Sequence, residues 1–167
     1  MPTSKTEAAL LALVAAIVTA SQVEGSKLPA PVRNGDMLTR LVEASGGQNL
    51  EQFVNVLDGE RANTDELLGA DMIAGGFDIR WRARIEFGAA GGADADREAL
   101  FDAMRVELWN AIKPQVSGGI PAYLGGAVSS LQLVDMLPQD KSNADGLPGV
   151  KATEWLIELQ YVSDAPF

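Results

Sequence analysis

Apolar and charged residues alternate at every position from 77 to 87. The apolar members are Phe77, Ile79, Trp81, Ala83, Ile85 and Phe87, and the charged members are Asp78, Arg80, Arg82, Arg84 and Glu86. Successive side chains of a β-strand point to opposite faces of its sheet, so this period of two predicts a half-buried strand. At about 3.3 Å per residue the strand would extend roughly 36 Å, which is long for a globular domain. We therefore expect it to bend or to extend beyond its sheet.

Three other segments have the composition of strands. Positions 53–57 predict a short strand that ends at the turn dipeptide Asp58-Gly59. Positions 128–137 predict a strand with weaker alternation, and positions 152–162 predict the last strand of the chain. The run 37–42 is compatible with either a short helix or a strand.

The N-terminal segment predicts an amphipathic helix over about 4–20. Ser4 and Glu7 have the spacing of a capping box, in which each side chain binds the backbone N–H of the other residue. The apolar residues that recur at helical spacing after this box are Leu10, Leu13, Val14, Ile17 and Val18.

A second helix is predicted between a glycine-rich segment and Pro114. Asp94 or Asp96 is expected to cap it, and it is expected to run to about Lys113. Its apolar stripe consists of Leu100, Phe101, Met104, Leu108 and Ile112. A helix of about 20 residues is about 30 Å long, enough to cover the apolar face of the preceding strand.

The order of these elements predicts an α+β fold in a single domain over 1–167. Strands joined by short connections predict a mixed or antiparallel sheet of about four strands, with two amphipathic helices packed on one face. The glycine-rich segment 88–92 is expected to be a flexible break between the long strand and the second helix. The polar segment 138–150 is expected to be a mobile excursion from the domain.

Composition removes several classes of chemistry. The 167 residues include no cysteine and no histidine, and 23 acidic against 13 basic residues give a net charge of −10. Disulfides, thiolate nucleophiles, zinc sites built from Cys and His, haem ligation by His and imidazole general bases are therefore excluded. The negative charge also argues against general binding to phosphate backbones and against adhesion to anionic membrane surfaces.

Motifs for cofactors, nucleotides and metals are also missing. The glycine pairs match neither the phosphate-binding loop G-x-x-x-x-G-K-[ST], nor the dinucleotide fingerprint, nor a G-x-S-x-G nucleophile elbow. Asp135, Asp140 and Asp145 suggest a weak calcium-site hypothesis, but Ala144 occupies a ligand position of the pattern that begins at Asp140. We expect a solvated loop there, with no cofactor and no metal site.

The stripe formed by Arg80, Arg82 and Arg84 is the most distinctive polar feature of the chain. One interpretation is a basic track for phosphate or for an acidic partner subunit. The other is a solvent-facing sheet surface on which these arginines pair across strands with Glu154 and Glu158. We favour the solvent-facing surface, or a contact between subunits, over a phosphate track.

Taken together, the elements resemble the tail terminator proteins (minor tail protein U-like) of long-tailed bacteriophages. The resemblance rests on the N-terminal helix, Val32-Arg33-Asn34, Leu57-Asp58-Gly59, the strand FDIRWRARIEF, the helix DADREALFDAMRVELWNAI and the final strand ATEWLIELQYVSD. The resemblance covers nearly the full length of the chain. It rests on the order of the elements and on the character of their local sequences, and it includes no invariant motif.

The resemblance implies a structural, non-enzymatic role in the virion. Such proteins form a hexameric ring that caps the tail tube at its head-proximal end, stops its polymerisation and joins it to the head. The implied partners are further copies of the chain, the tail tube protein and the head–tail connector or stopper protein. DNA would pass through the ring without sequence-specific binding. An acidic subunit suits this role because its negative charge repels the DNA phosphates. Assembly would occur in the host cytoplasm, with no membrane partner.

Two surfaces are expected to carry these contacts. The predicted subunit interface consists of Arg80, Arg82 and Arg84, and the predicted contact with the tube or connector consists of Asp140, Lys141 and Asp145. Two alternatives stay open: another head–tail connector or stopper protein, and a small α+β enzyme or ligand-binding domain that uses only Asp and Glu.

Overall fold

The computed structural model describes residues 4–62, 72–73, 76–138 and 149–163. The helices are α1 (Lys5–Ser21), α2 (Met37–Ser45) and α3 (Asp94–Ile112), with a 3-10 turn at Leu124–Gly126. The strands are β1 (Val32–Arg33), β2 (Glu51–Arg61), β3 (Met72–Ile73), β4 (Gly76–Ala90), β5 (Gln115–Ser117), β6 (Ile120–Ala122), β7 (Ser130–Pro138) and β8 (Val150–Ser163). Most of the segment 138–150, predicted to be a mobile excursion, lies outside the described residues.

Five strands form a mixed sheet in the order β1-β2-β4-β8-β7, and β3 pairs with one end of β4. Strand β1 is parallel to β2, whereas the other pairs in this sheet are antiparallel. Strands β5 and β6 form a separate antiparallel hairpin. The predicted α+β fold with a mixed sheet is therefore confirmed.

The long alternating strand lies at the centre of this sheet as β4. It pairs with β8 without interruption from Phe77, opposite Ser163, to Ala90, opposite Val150. The expected extension beyond the sheet is wrong, because β8 is itself 14 residues long and matches β4 along this whole range.

One face of the sheet is covered by α1 and α3. Alternate residues of β4 on this face are fully or almost fully buried, among them Ile79, Ile85 and Phe87. The helix residues in the same hydrophobic core are Leu10, Leu13 and Ile17 of α1, with Phe101, Met104, Leu108 and Ile112 of α3. The predicted stripe of α3 therefore faces the core, with Leu100 partly buried at its margin. The stripe of α1 does so as well, except for Val18, which is half-buried outside this cluster.

Among the described residues, the opposite face is covered at one end only, by α2. Met37 and Leu41 of this helix form a second, smaller core with Ala90, Val150 and Ala152. The ambiguous run at 37–42 is therefore helical, and Asp36 caps it by accepting a hydrogen bond of 3.0 Å from the N–H of Thr39. The remainder of this face carries charged side chains.

The helix N-termini differ in part from the sequence expectation. Ser4 does cap α1, accepting from the N–H of Glu7 at 3.1 Å, but the Glu7 carboxylate binds Arg33 and does not complete a capping box. The N-cap of α3 is Ala93, and no side chain caps this helix. The prediction that Asp94 or Asp96 caps α3 is wrong, since both lie within its first turn, where the helix dipole favours carboxylates.

The glycine-rich segment 88–92 forms the end of β4 and a turn that hydrogen bonds hold in place. Strand β4 continues to Ala90, and Gly91 and Gly92 then adopt φ values of 74° and 62°, which favour glycine. The N–H of Gly92 donates to the carbonyl of Gly47 at 3.0 Å, and the buried guanidinium of Arg97 donates to the carbonyl of Gly91 at 3.0 Å. The expectation of a flexible break is therefore wrong.

Candidate interaction surfaces

The uncovered part of the second sheet face carries the arginine stripe. Arg84 binds Glu154 through two hydrogen bonds, Nε to Oε1 at 2.9 Å and Nη2 to Oε2 at 2.6 Å. Arg82 Nε lies 3.5 Å from Glu158 Oε2. The cross-strand pairing predicted for these arginines is confirmed at both sites. Arg80 is exposed, and no carboxylate among the described residues lies within ion-pair distance of it.

The register of β4 and β8 explains why the two ion pairs differ. Arg82 is directly opposite Glu158, whereas Arg84 is opposite Leu156 and reaches diagonally to Glu154. The Glu154 side chain is only 8% exposed, so its pair with Arg84 is better shielded from water than the Arg82 pair. The hydrogen bonds with Glu154 raise the pKa of Arg84 above its ordinary value.

A second charged cluster joins α1 to the edge of the sheet. Arg33 donates to Glu7 at 2.9 Å and also binds the carboxylate of Asp58, while the amide nitrogen of Asn34 donates to Asp58 at 3.0 Å. The bond with Glu7 raises the pKa of Arg33, and the bond from Arg33 lowers the pKa of Asp58. This joint brings together three of the segments on which the resemblance rests.

A buried amide holds the turn beneath this joint. Asn55 of β2 is 2% exposed, and its side chain exchanges two hydrogen bonds of 2.9 Å with the backbone of Gly35. The same amide nitrogen donates to Glu86 Oε2 at 2.8 Å. The side-chain oxygen and the side-chain nitrogen of Asn55 both have protein partners, so we assign this residue a structural role.

Hairpin β5–β6 presents apolar side chains to solvent. All six of its strand residues are exposed, with Val116 at 69% and Ile120 at 73%, the most exposed large apolar side chains described. Gly118 and Gly119 form its turn with φ values of 60° and 82°. Exposed apolar groups on a protruding element are typical of protein–protein contacts.

This hairpin was not predicted, since no strand was expected between Pro114 and position 128. Gly118-Gly119 is a dipeptide suited to a two-residue hairpin turn with positive φ at both positions, and apolar residues lie close to it on both sides. The signal was therefore present, but each strand is only three residues long. Strands of that length have too few positions to establish a period of two.

A groove of about 360 Å³ lies beside β2, at the β1–β2 edge of the sheet. It is lined by Pro29, Ala30 and Val32, by Arg40 and Glu43 of α2, and by β2 residues 51–54. Strand β1 pairs with β2 only at Asn55 and Val56, so the first half of β2 has no outer neighbour among the described strands.

The described residues offer no arrangement for metal chemistry. No group of three or more acidic residues in these parts of the chain could hold a metal ion. None of the helices described combines the length and apolar character needed to span a lipid bilayer. Asp140, Lys141 and Asp145, the predicted contact with the tube or connector, lie outside the described residues, so their role stays a prediction.

Comparison with models of known protein families gave no match, and comparison with curated proteins gave no significant similarity. The structure itself defines the class of protein: an α+β domain with a charged sheet face and an exposed apolar hairpin.

Proposed function

We propose that this chain is a structural subunit of a ring that caps the tail tube of a long-tailed bacteriophage. The ring would stop polymerisation of the tube and provide the surface to which the head joins. Its partners would be further copies of the chain, the tail tube protein and a head–tail connector, and it would perform no catalysis. Its location would be the head-proximal end of the tail in the virion.

The observation that carries this proposal is the exposed β5–β6 hairpin. Val116 and Ile120 are 69% and 73% exposed, although burial of such apolar groups would be favourable. A rigid domain that displays them on a protruding ribbon is suited to insertion into a neighbouring protein. Repeated head-to-tail contacts of one kind close into a ring when the rotation between subunits allows it.

Two further features support the same role. The N-terminal helix, the long strand, the acid-rich helix and the final strand occur in the order on which the resemblance to tail terminators rests, and Arg33 and Asp58, from two of its quoted segments, bind each other. The net charge of −10 suits a channel that DNA crosses without adhering. The predicted subunit contact through the arginine stripe is retained for Arg80, since Arg82 and Arg84 already have partners within the chain.

The decisive experiment is mass by light scattering over a range of protein and salt concentrations, followed by electron microscopy. We expect a concentration-dependent shift from monomer to a ring of about six copies, as the family resemblance implies. The same preparation added to polymerising tail tube protein should shorten the tubes. A chain that stays monomeric at every concentration and leaves tube length unchanged would contradict the proposal.

A further inference from the structure

Hairpin β5–β6 lacks the support that a two-stranded ribbon needs. An isolated hairpin is at best marginally stable in water, and a third strand or a packed helix is needed to stabilise it. The residues of β5 and β6 are exposed throughout, and the described strands pair only with each other here. Pro121 gives β6 no N–H at its middle position, so β5 offers the hairpin edge that a further strand could cover, and no described strand lies beside it.

The hairpin belongs to the least acidic part of a strongly acidic chain. No Asp or Glu occurs from Lys113 to Val134, although the whole chain contains 23 acidic residues. Two copies with a charge of −10 each repel one another, and this repulsion is weakest where no carboxylate is present. Self-association through the hairpin therefore avoids most of the electrostatic cost.

The groove beside β2 has the complementary features. The peptide groups of residues 51–54 on the outer side of β2 have no strand beside them in the described part of the chain. Pro29, Ala30 and Val32 supply apolar lining. The charged lining residues are Glu43, Glu51 and Arg40, so the groove is negative by one charge and is complementary to Lys113 at the base of the hairpin. Addition of a strand to such an edge gives affinity through main-chain hydrogen bonds.

The positions of the two features favour a head-to-tail arrangement. The groove lies at the β2 edge, and the chain leaves the hairpin through the 3-10 turn directly into β7, the strand at the other edge. The edge of β7 is itself interrupted by a bulge between Leu133 and Asp135, a feature that discourages strand addition. The donor on one side and the acceptor on the other give a heterologous contact.

We propose that the β5–β6 hairpin of one copy docks in the groove beside β2 of a second copy and extends its sheet. This inference rests on the proposed ring, for which it supplies the contact between subunits. Ile120 and Val116 become buried in this contact, and the open half of β2 gains an outer neighbour.

Engineered cysteines test the contact directly, because the chain contains no cysteine of its own. We expect Ile120→Cys combined with Ala30→Cys to form a ladder of disulfide-linked species on mild oxidation, resolved on a non-reducing gel. Either single variant can yield no more than a linked dimer. The matched control combines Ile120→Cys with Ala95→Cys, an exposed alanine in the first turn of α3, and should give no ladder.

The outcomes separate this inference from the proposed function. Rings seen by light scattering with no ladder from the Ile120 and Ala30 pair would overturn the hairpin contact and leave the ring intact. The absence of both rings and ladder would overturn both proposals. A ladder equal in the control pair would also overturn the contact, since it would indicate random collision.

A charge placed on the hairpin provides an independent measurement. Ile120→Asp should weaken ring assembly by about tenfold or more, because the contact would bury an unpaired charge. Its folding should be unchanged, since the side chain is 73% exposed in the single chain. The matched control is Val106→Asp on α3, where the replaced side chain is 58% exposed, and it should assemble normally. Equal loss of assembly in both variants, or in neither, would overturn the inference.

Discussion

The two faces of the central sheet are built from alternate residues of the same two strands. On the covered face, Phe87 stacks on Phe101 at 5.4 Å between ring centroids and meets the edge of Trp155 at 5.0 Å. On the other face, Arg84 of the same strand binds Glu154, and its side chain remains 42% exposed.

The difference shows how one alternating pattern produces two kinds of stabilisation. Side chains on the covered face are removed from water by two helices, and each large one contributes through its buried apolar area. Side chains on the other face, which carries the arginine stripe and is called the open face below, keep much of their contact with water. The attraction between their opposite charges is therefore screened. We therefore expect substitutions on the covered face to be several times more destabilising than those on the open face.

The largest expected effect is that of Phe87→Ala. The side chain is fully buried and contacts two aromatic rings, so its truncation removes buried area and leaves a cavity. We expect a loss of about 3–5 kcal/mol in the free energy of unfolding, measured by urea denaturation. A loss below about 1 kcal/mol would mean that the covered face does not dominate stability.

An intermediate effect is expected where the open face is best shielded. Arg84→Ala leaves the nearly buried carboxylate of Glu154 without its arginine and should cost about 1–2 kcal/mol, below the range for fully buried pairs. Arg82→Ala is the matched control, since the two arginines are about equally exposed but Glu158 is 20% exposed against 8% for Glu154, and it should cost less than about 1 kcal/mol. Equal losses in the two variants would contradict the difference in shielding. A double-mutant cycle with Glu154→Gln measures the coupling directly.

A smaller and pH-dependent effect is expected at the joint that fastens α1 to the sheet. Because the pKa of Asp58 is lowered in the folded chain, its bond with Arg33 contributes stability above the ordinary Asp pKa of about 4 and loses it as the pH falls below that value. Asp58→Asn should cost about 0.2–1 kcal/mol at neutral pH, as exposed ion pairs do, and this cost should shrink as the pH falls below the ordinary pKa of Asp.

Thermal unfolding from pH 7 to pH 2 checks this expectation. Glu24→Gln is the control, because it removes one carboxylate from an exposed loop position that has no contact with Arg33. A constant difference between Asp58→Asn and the unaltered chain over the whole pH range would be inconsistent with the proposed linkage.

Much of the fold follows from local patterns. The alternation over 77–87 predicted β4, and opposite charges on alternate residues of β4 and β8 predicted the pairs of Arg84 and Arg82 with glutamates. Strand register was not predictable in the same way, since an alternating pattern is compatible with any even shift. The diagonal reach from Arg84 to Glu154 therefore had to be observed.

The remaining features depend on chain paths that local patterns do not contain. Arg33 and Asp58 meet although they are 25 positions apart, because β1 enters the sheet beside β2. The turn at Gly91 depends equally on contacts from distant segments, and composition alone indicated only flexibility there. Hairpin β5–β6 was missed for the opposite reason, since its signal is local but its strands are too short for a period.

The smallest expected effect is that of Arg80→Ala on the open face. The side chain is exposed and, within the described ranges, has no ion-pair partner, so we expect the free energy of unfolding to change by less than about 0.5 kcal/mol. The same substitution distinguishes a solvent-facing surface from a subunit contact, because a contact would weaken ring assembly without changing stability. Assembly at different salt concentrations measures this, since a contact through Arg80 would lose its salt dependence in the variant. Unchanged assembly and unchanged salt dependence would assign the stripe to the solvent-facing surface alone.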